Sequence, residues 1–183
     1  MSETHSAPRV IDVTGDQPAL AEIGRLRVTA WKTEIADFPA ELACWIDDID
    51  RDPRARLYAI RAGDRIVASA RLTVHDAPAG LPDGEVYRGV IAADEPGPIG
   101  VLSRLVVDPE HRRQGLGTAL DRHRIAVARE IGCRMLAGCS SAELRIKQMM
   151  GLGFEIAGRQ TTNPHPVFKN RGVQSVLVLR LES

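Results

Sequence analysis

Lysine is almost missing from this chain. Only Lys32, Lys147 and Lys169 are lysines among 24 basic residues; the rest are arginines. Arginine suits planar anion recognition better than lysine, although genome composition produces the same bias. A net charge of one sign is missing too, since 24 basic residues meet 24 acidic ones. Neither nucleic acid nor an anionic membrane is therefore expected as a partner, local patches aside. Cysteine is sparse and odd in number: Cys44, Cys133 and Cys139, none in a CxxC spacing. That excludes a disulfide scaffold and a cysteine zinc site, and points to reduced thiols in a cytoplasmic protein. No apolar run approaches the roughly 18 residues needed to span a membrane. The opening "MSETHSAPRV" lacks the cationic and apolar regions of a signal peptide. Repeats, heptads and low-complexity tracts are absent.

What remains is globular composition, 44% hydrophobic and 26% charged over 183 residues. This is enough for one domain with a sizeable core. Residues 1 to 8 read as a disordered lead, and residues 9 to 13 as a short strand. Asp16 is a good N-cap with Pro18 just behind it, so a helix should run to about Thr33. Leu20, Ile23 and Leu26 recur there at helical spacing. A second helix is expected over residues 39 to 49. Residues 57–60 and 66–74 read as a hairpin turning at Ala62-Gly63-Asp64. The alternation of Ile66, Ala68, Ala70, Leu72 and Val74 predicts a half-buried strand. Residues 77 to 98, rich in proline and glycine, read as a long functional or mobile loop. Its acidic residues, Asp83, Glu85, Asp94 and Glu95, offer attraction to a cationic amine or are simply solvated. A strand at 101–107, a helix at 115–131 capped by Gly132, a strand at 134–137 and a helix from Ser140 to Gly151 follow. Strands at 154–157 and 174–181 complete the order β-α-α-β-β-β-α-β-α-β-β, a mixed α/β domain around one sheet.

The stretch "HRRQGLGTAL", residues 111 to 120, puts arginines and two glycines where a strand hands over to a helix. The first N–H groups of a helix lack partners and carry partial positive charge. Glycines let an anion approach that backbone closely. The stretch is therefore a candidate phosphate cradle, yet it is neither a Walker A motif nor GxGxxG.

"SRLVVDPEHRRQGLGTAL" resembles the acyl-CoA-binding motif of the GCN5-related N-acetyltransferase (GNAT) family, and "MMGLGFEIAG" is similar to that family's helix-end signature. The resemblance implies an acyl-CoA N-acyltransferase fold over nearly the whole chain, with acetyl-CoA as donor and no metal. It implies that Leu105, Val106 and Val107 line the pantetheine arm. It further implies that Arg112, Arg113, Gln114, Gly115, Leu116, Gly117 and Thr118 cradle the pyrophosphate. The acceptor would be a primary amine on a small molecule or protein, attacked directly in a ternary complex. Homodimers are common among similar proteins.

Two departures from the family pattern stand out. Many members use a strand carboxylate as base and a tyrosine before "GF" as acid. Here the strand reads Val101, Leu102, Ser103, Arg104, and the tyrosine slot holds Met149. His75 has a pKa suited to a base but also reads as a strand-end residue. Cys139 is either a nucleophile near the acyl group or a buried structural thiol. Ser103 either relays a proton or packs on its strand. Glu143 reads as a cap, His111 as a neighbour of the pyrophosphate loop, and His165 as a turn residue or part of the acceptor rim. Trp31, Phe38 and Trp45 either pack the core or wall an apolar acceptor or acyl chain. Two rival functions follow. One is transfer from a long-chain acyl-CoA or acyl-carrier protein, since "RLRVTAWKTE" is faintly similar to an arginine-rich segment of amino-acid and homoserine-lactone acylating relatives. The other is a non-catalytic acyl-CoA-binding module.

Overall fold

Asp16 sets the start of the first helix. Its carboxylate accepts the N–H of Ala19 at 3.0 Å, and α1 runs Gln17–Lys32 with Pro18 in its first turn, as its capping pattern predicts. The computed structural model describes residues 8–35, 38–161 and 172–181. The proposed lead, apart from residue 8, and His165 lie outside these.

Seven strands form one sheet: β1 Ile11–Asp12, β2 Ala55–Ala62, β3 Arg65–His75, β4 Ile99–Val107, β5 Met135–Ser140, β6 Glu155–Gln160 and β7 Gln174–Arg180. Their order is β1-β2-β3-β4-β5-β7-β6. Every neighbouring pair is antiparallel except β4 and β5. The helices after α1 are α2 Gly84–Tyr87, α3 Leu116–Glu130 and α4 Glu143–Met150. Gly132, at φ 79°, follows the end of α3 in the left-handed conformation that glycine tolerates. Among the described residues no helix is long and apolar enough to cross a membrane.

Three expectations need correction. First, β3 is buried on both faces, from Ile66 through Thr73, rather than half-buried. Ala68, Ala70 and Leu72 pack with Leu116 and Leu120 of α3. The opposite face of the β2–β4 half carries α1, whose Leu20, Ile23 and Leu26 meet Leu57, Ala59 and Val106.

Second, the helix expected over 39–49 does not form. The segment turns near residue 40, extends, and ends in a 3-10 turn, Asp48–Arg51. Asp47 and Asp50 cap that turn reciprocally. Trp45 N–H donates to Gly24 O of α1 at 3.0 Å instead of to its own chain four residues back. The crossing is close: a Cβ on Gly24 would collide with Cys44 Sγ and Ile46.

Third, residues 77 to 98 are a packed cover, not a solvated loop. Leu81, Val86, Tyr87 and Ile91 are buried against Ile99 and Val101 of β4, Met135 and Ala137 of β5, and Val176 of β7. Burying these apolar side chains outweighs the irregular backbone imposed by proline and glycine. Of the segment's acidic residues, Glu95 is paired with Arg180 at 2.6 Å. Ile91→Ala should accordingly destabilise the protein by about 2–5 kcal/mol in urea unfolding. A loss below about 0.5 kcal/mol would mean that the segment is an ordinary surface loop.

Candidate active site

The site begins with a break in the sheet. β4 pairs with β5 only from Ile99 to Val101, against Met135 to Ala137. Beyond Val101 the two parallel strands part. On the other side of β4, the register with β3 shifts so that Ser103 and Val106 face Arg71 and Ser69, leaving one extra residue on β4. That is a β-bulge. Arg104 sits in it at φ 52°, a left-handed conformation that is strained for a non-glycine residue.

Next to the break lies a cavity of about 610 Å³. Its walls include Leu102 to Val107 of β4, the turn and first residues of α3, the end of α1, Cys139, Ser140 and Ala142, and one face of α4. The turn supplies the anion-binding geometry. Arg113 and Gly115 both have positive φ, 63° and 76°. The first α3 hydrogen bond is Ala119 N–H to Gly115 O. The N–H groups of Leu116, Gly117 and Thr118 thus precede any intrahelical acceptor, and no side chain caps this end.

Most of the cradle residues inferred from the sequence do meet here: Leu105, Val106, Val107, Arg112, Arg113, Gly115, Leu116, Gly117 and Thr118 all line the cavity. Gln114 is exposed and is not among the walls. Arg112 has a second employment. Its guanidinium binds Glu34 at 2.6 Å, Thr33 Oγ1 at 3.1 Å and Ala30 O at 3.2 Å. A cation thus braces the C-terminal end of α1 against the cradle.

The catalytic candidates divide. Ser103 lines the cavity, and its hydroxyl accepts Arg71 Nε at 3.0 Å. Cys139 also lines it and is exposed, not buried as a structural thiol would be. It shares a hydrogen bond with the Tyr87 hydroxyl. Burial, followed by the neighbouring Cys139, pushes the Tyr87 pKa well above the usual phenol value. His75 is not brought to the site. It pairs with Ile99 at the far end of β4, buried, with Nε2 2.9 Å from Thr73 Oγ1. Burial, then Arg54, lowers its pKa. Met149, in the tyrosine slot, is a buried wall residue. His111 is on the wall and 3.5 Å from Asp108.

The sequence reading missed a charged cluster under the bulge. Arg27 grips Asp50 with two hydrogen bonds, at 2.5 and 2.8 Å. Arg71 binds Asp47 at 2.5 Å and Asp50 at 2.9 Å. Arg104 reaches Asp47 through Nε at 2.9 Å and Nη2 at 2.7 Å, with its guanidinium 4.8 Å above the Trp45 ring. Burial opposes ionisation of Asp47, yet Arg71 and Arg104 hold its carboxyl well below the usual range. Asp50 is lowered in the same way against its burial by Arg27 and Arg71. A second cluster clamps the bulge from the other face. Arg124, fully buried, donates to Arg71 O at 2.7 Å and Ser103 O at 3.2 Å. It is paired with Asp121 at 2.5 Å, and Asp121 also binds Arg145. Burial pushes the Arg124 pKa down to about 10. An available signal was Arg71 itself, a charge inside the otherwise small and apolar strand "VASARLTV".

A strand that splits from its parallel neighbour beside an uncapped helix N-terminus, with one cavity joining them, is the arrangement that the resemblance implies for an acyl-CoA-dependent N-acyltransferase. Comparison with known proteins gives the family. The acetyltransferase (GNAT) family model matches residues 20–154, and the chain belongs to that family. No curated protein matches it. Among solved structures it is similar to the Escherichia coli ribosomal-protein-S18-alanine N-acetyltransferase, at 17% identity and TM-score 0.63, covering 96% of each chain. It is similar to FeeM, an N-acyl amino acid synthase from uncultured soil microbes, at 15% identity and TM-score 0.70, over 95% of this chain and 92% of that one. A Bacillus subtilis acetyltransferase in complex with CoA gives 15% identity and TM-score 0.60, over 96% of this chain and all of the other, 100%.

The cluster makes stability depend on its carboxylates. Asp50→Asn would leave Arg27 and Arg71 short of a counter-charge and should cost about 3–5 kcal/mol in denaturant unfolding. Asp47, Asp50 and Asp121 all have lowered folded pKa values. Their contribution is therefore present above the unfolded carboxylate value, about pH 4, and drains away as pH falls below it. The melting midpoint of the native protein should be highest near pH 7 to 8, ease as pH falls through about 6.5, where burial keeps His75 neutral while the unfolded chain takes up a proton, and drop steeply below about 4. A midpoint that rises on acidification would contradict the ionised cluster.

Proposed function

We propose that this protein transfers an acetyl group from acetyl-CoA to a primary amine by direct attack in a ternary complex. The carrying observation is the continuity of the uncapped α3 N-terminus with the open edge of β4 in one cavity. In this reading the amides from Arg113 to Thr118 hold the pyrophosphate, and Leu105 to Val107 run along the pantetheine. The backbone of β4 at the split polarises the thioester carbonyl. The amine nitrogen bonds the carbonyl carbon, the carbon–sulfur bond breaks, and the thiolate takes up a proton. Ser103 and Cys139 are the side chains placed to assist those proton movements, whereas His75 has no part. Placement of the two reactants supplies much of the rate where a dedicated base is lacking.

A longer acyl donor, on CoA or a carrier protein, is the second reading. The specific observation favouring it is Met149, an apolar wall where a tyrosine is common, beside Leu102 and Leu116. Calorimetry with acetyl-CoA, CoA and a medium-chain acyl-CoA separates the two. Micromolar acetyl-CoA binding is expected, and clear preference for the longer chain would move the assignment to the second donor class.

Gly117→Glu tests the cradle itself. A Cβ at Gly117 would meet Leu105 Cδ2 at 3.5 Å and Val107 Cγ2 at 3.9 Å, ordinary contacts. An acidic residue in the first turn also suits the helix dipole. The variant should therefore fold normally yet lose acetyl-CoA affinity by on the order of 100-fold, through blockage and repulsion of phosphate. Unchanged affinity would mean that the pyrophosphate lies elsewhere.

A further inference from the structure

β4 and β5 stay paired as far as Val101 and Ala137. The next residues, Leu102 and Gly138, are the first on either side of the split, and they are still close. A Cβ on Gly138 would stand 3.3 Å from Leu102 O and 3.0 Å from the terminal methyl, Cε, of Met149. Gly138 is not among the glycines with positive φ. Close approach, rather than backbone conformation, is therefore what calls for glycine here.

The apex of the split is thus stopped by one side chain. Met149 is 2% exposed and lines the cavity with Leu102 and Leu116. Its backbone is fixed, because Met149 O accepts the N–H groups of Leu152 at 2.9 Å and Phe154 at 3.2 Å. Its side chain is the adjustable part: an unbranched thioether fits itself to whatever it packs against.

We infer that Met149 sets the length of the acyl group this protein accepts, admitting short chains and stopping longer ones at the apex of the split. The inference rests on the N-acyltransferase reading and adds the residue that fixes its donor specificity. In that reading the backbone of β4 at the split polarises the thioester carbonyl. The alkyl part of the acyl group leaves the carbonyl carbon on the side away from sulfur and continues into the gap toward β5. There Gly138 has no side chain to meet it, and the Met149 methyl is what it reaches. An acetyl group brings only a methyl to that place. Each further methylene must displace Met149 from a packed core or fold back on itself, and packed cores resist added volume. An apolar wall alone would suit a long chain, whereas an apolar wall that closes on a glycine limits one.

The test is calorimetry on the full chain with CoA and with acetyl-, butyryl-, hexanoyl- and octanoyl-CoA, so that no acceptor is needed. CoA is the reference for each protein, and effects common to every ligand cancel. In the native protein, affinity should be best for acetyl- or butyryl-CoA and fall by on the order of 10-fold at octanoyl-CoA. Met149→Ala removes Cγ, Sδ and Cε, room for about three methylenes. Its hexanoyl-to-acetyl affinity ratio should rise by on the order of 10-fold. Met149→Leu, close in volume but shorter in reach, should move that ratio the same way by less, and it serves if the alanine variant does not fold. A merely structural role would weaken all ligands alike, so an unchanged chain-length profile in the folded variants would overturn the inference. So would octanoyl-CoA bound by the native protein as tightly as acetyl-CoA, a result that decides even if neither variant folds. Failure of the native protein to bind CoA or any acyl-CoA would instead overturn the N-acyltransferase reading beneath it.

Discussion

The carboxylate of Asp47 holds the centre of this molecule together. One of its oxygens takes Arg71 from β3 and the other takes Arg104 from β4. Arg71 faces the bulge from β3 while Arg104 sits in it and pays for the hold with a left-handed backbone. Without a strong partner a non-glycine residue would leave that conformation, and β4 would lose the extra residue that turns it from β5. Arg124 works on the same place from the opposite face, gathering the carbonyls of Arg71 and Ser103. The split in the sheet is therefore fixed from both sides by buried charge rather than left to strand twist.

That constraint explains the irregular chain between α1 and β2. A helix over residues 39–49 would satisfy its own backbone but would not deliver Asp47 and Asp50 to three arginines on three separate elements. An extended segment crossing α1 at Gly24 does, and it lays Trp45 under Arg104 as well. Charge pairing here overrides local helix propensity, which is worth only tenths of a kcal/mol per residue, about 0–0.7. The brace of Arg112 on the end of α1 extends the same logic, tying the helix that walls the cavity to the turn before α3.

The sequence made the seven strands, three of the helices and the glycine turn before α3 legible because their signals are local. Asp16 and Pro18 announce α1, and the glycines at 115 and 117 announce the start of α3. Burial from afar is not local. The cover formed by residues 77–98 reads as a loop because its punctuation is dense, while its four buried apolar residues match no single period. The same blindness applies to Asp47 and Asp50: each looks like an ordinary surface charge until the fold brings it to Arg71. His75 failed for a related reason. Its chemistry fits a base, but the antiparallel register sets it opposite Ile99, at the wrong end of β4.

The buried arginines bear on the departures from the family's acid-base pair. An amine in water arrives as an ammonium ion and must lose a proton before it can attack. Under the acetyl-transfer reading, Arg104 on the cavity wall would disfavour the ammonium form of an amine bound beside it and lower that amine's pKa. A site built this way would have less need of a strand carboxylate. Ser103 in that strand and Met149 in the tyrosine slot are then consistent with catalysis that relies on placement and field more than on a dedicated proton-transfer pair.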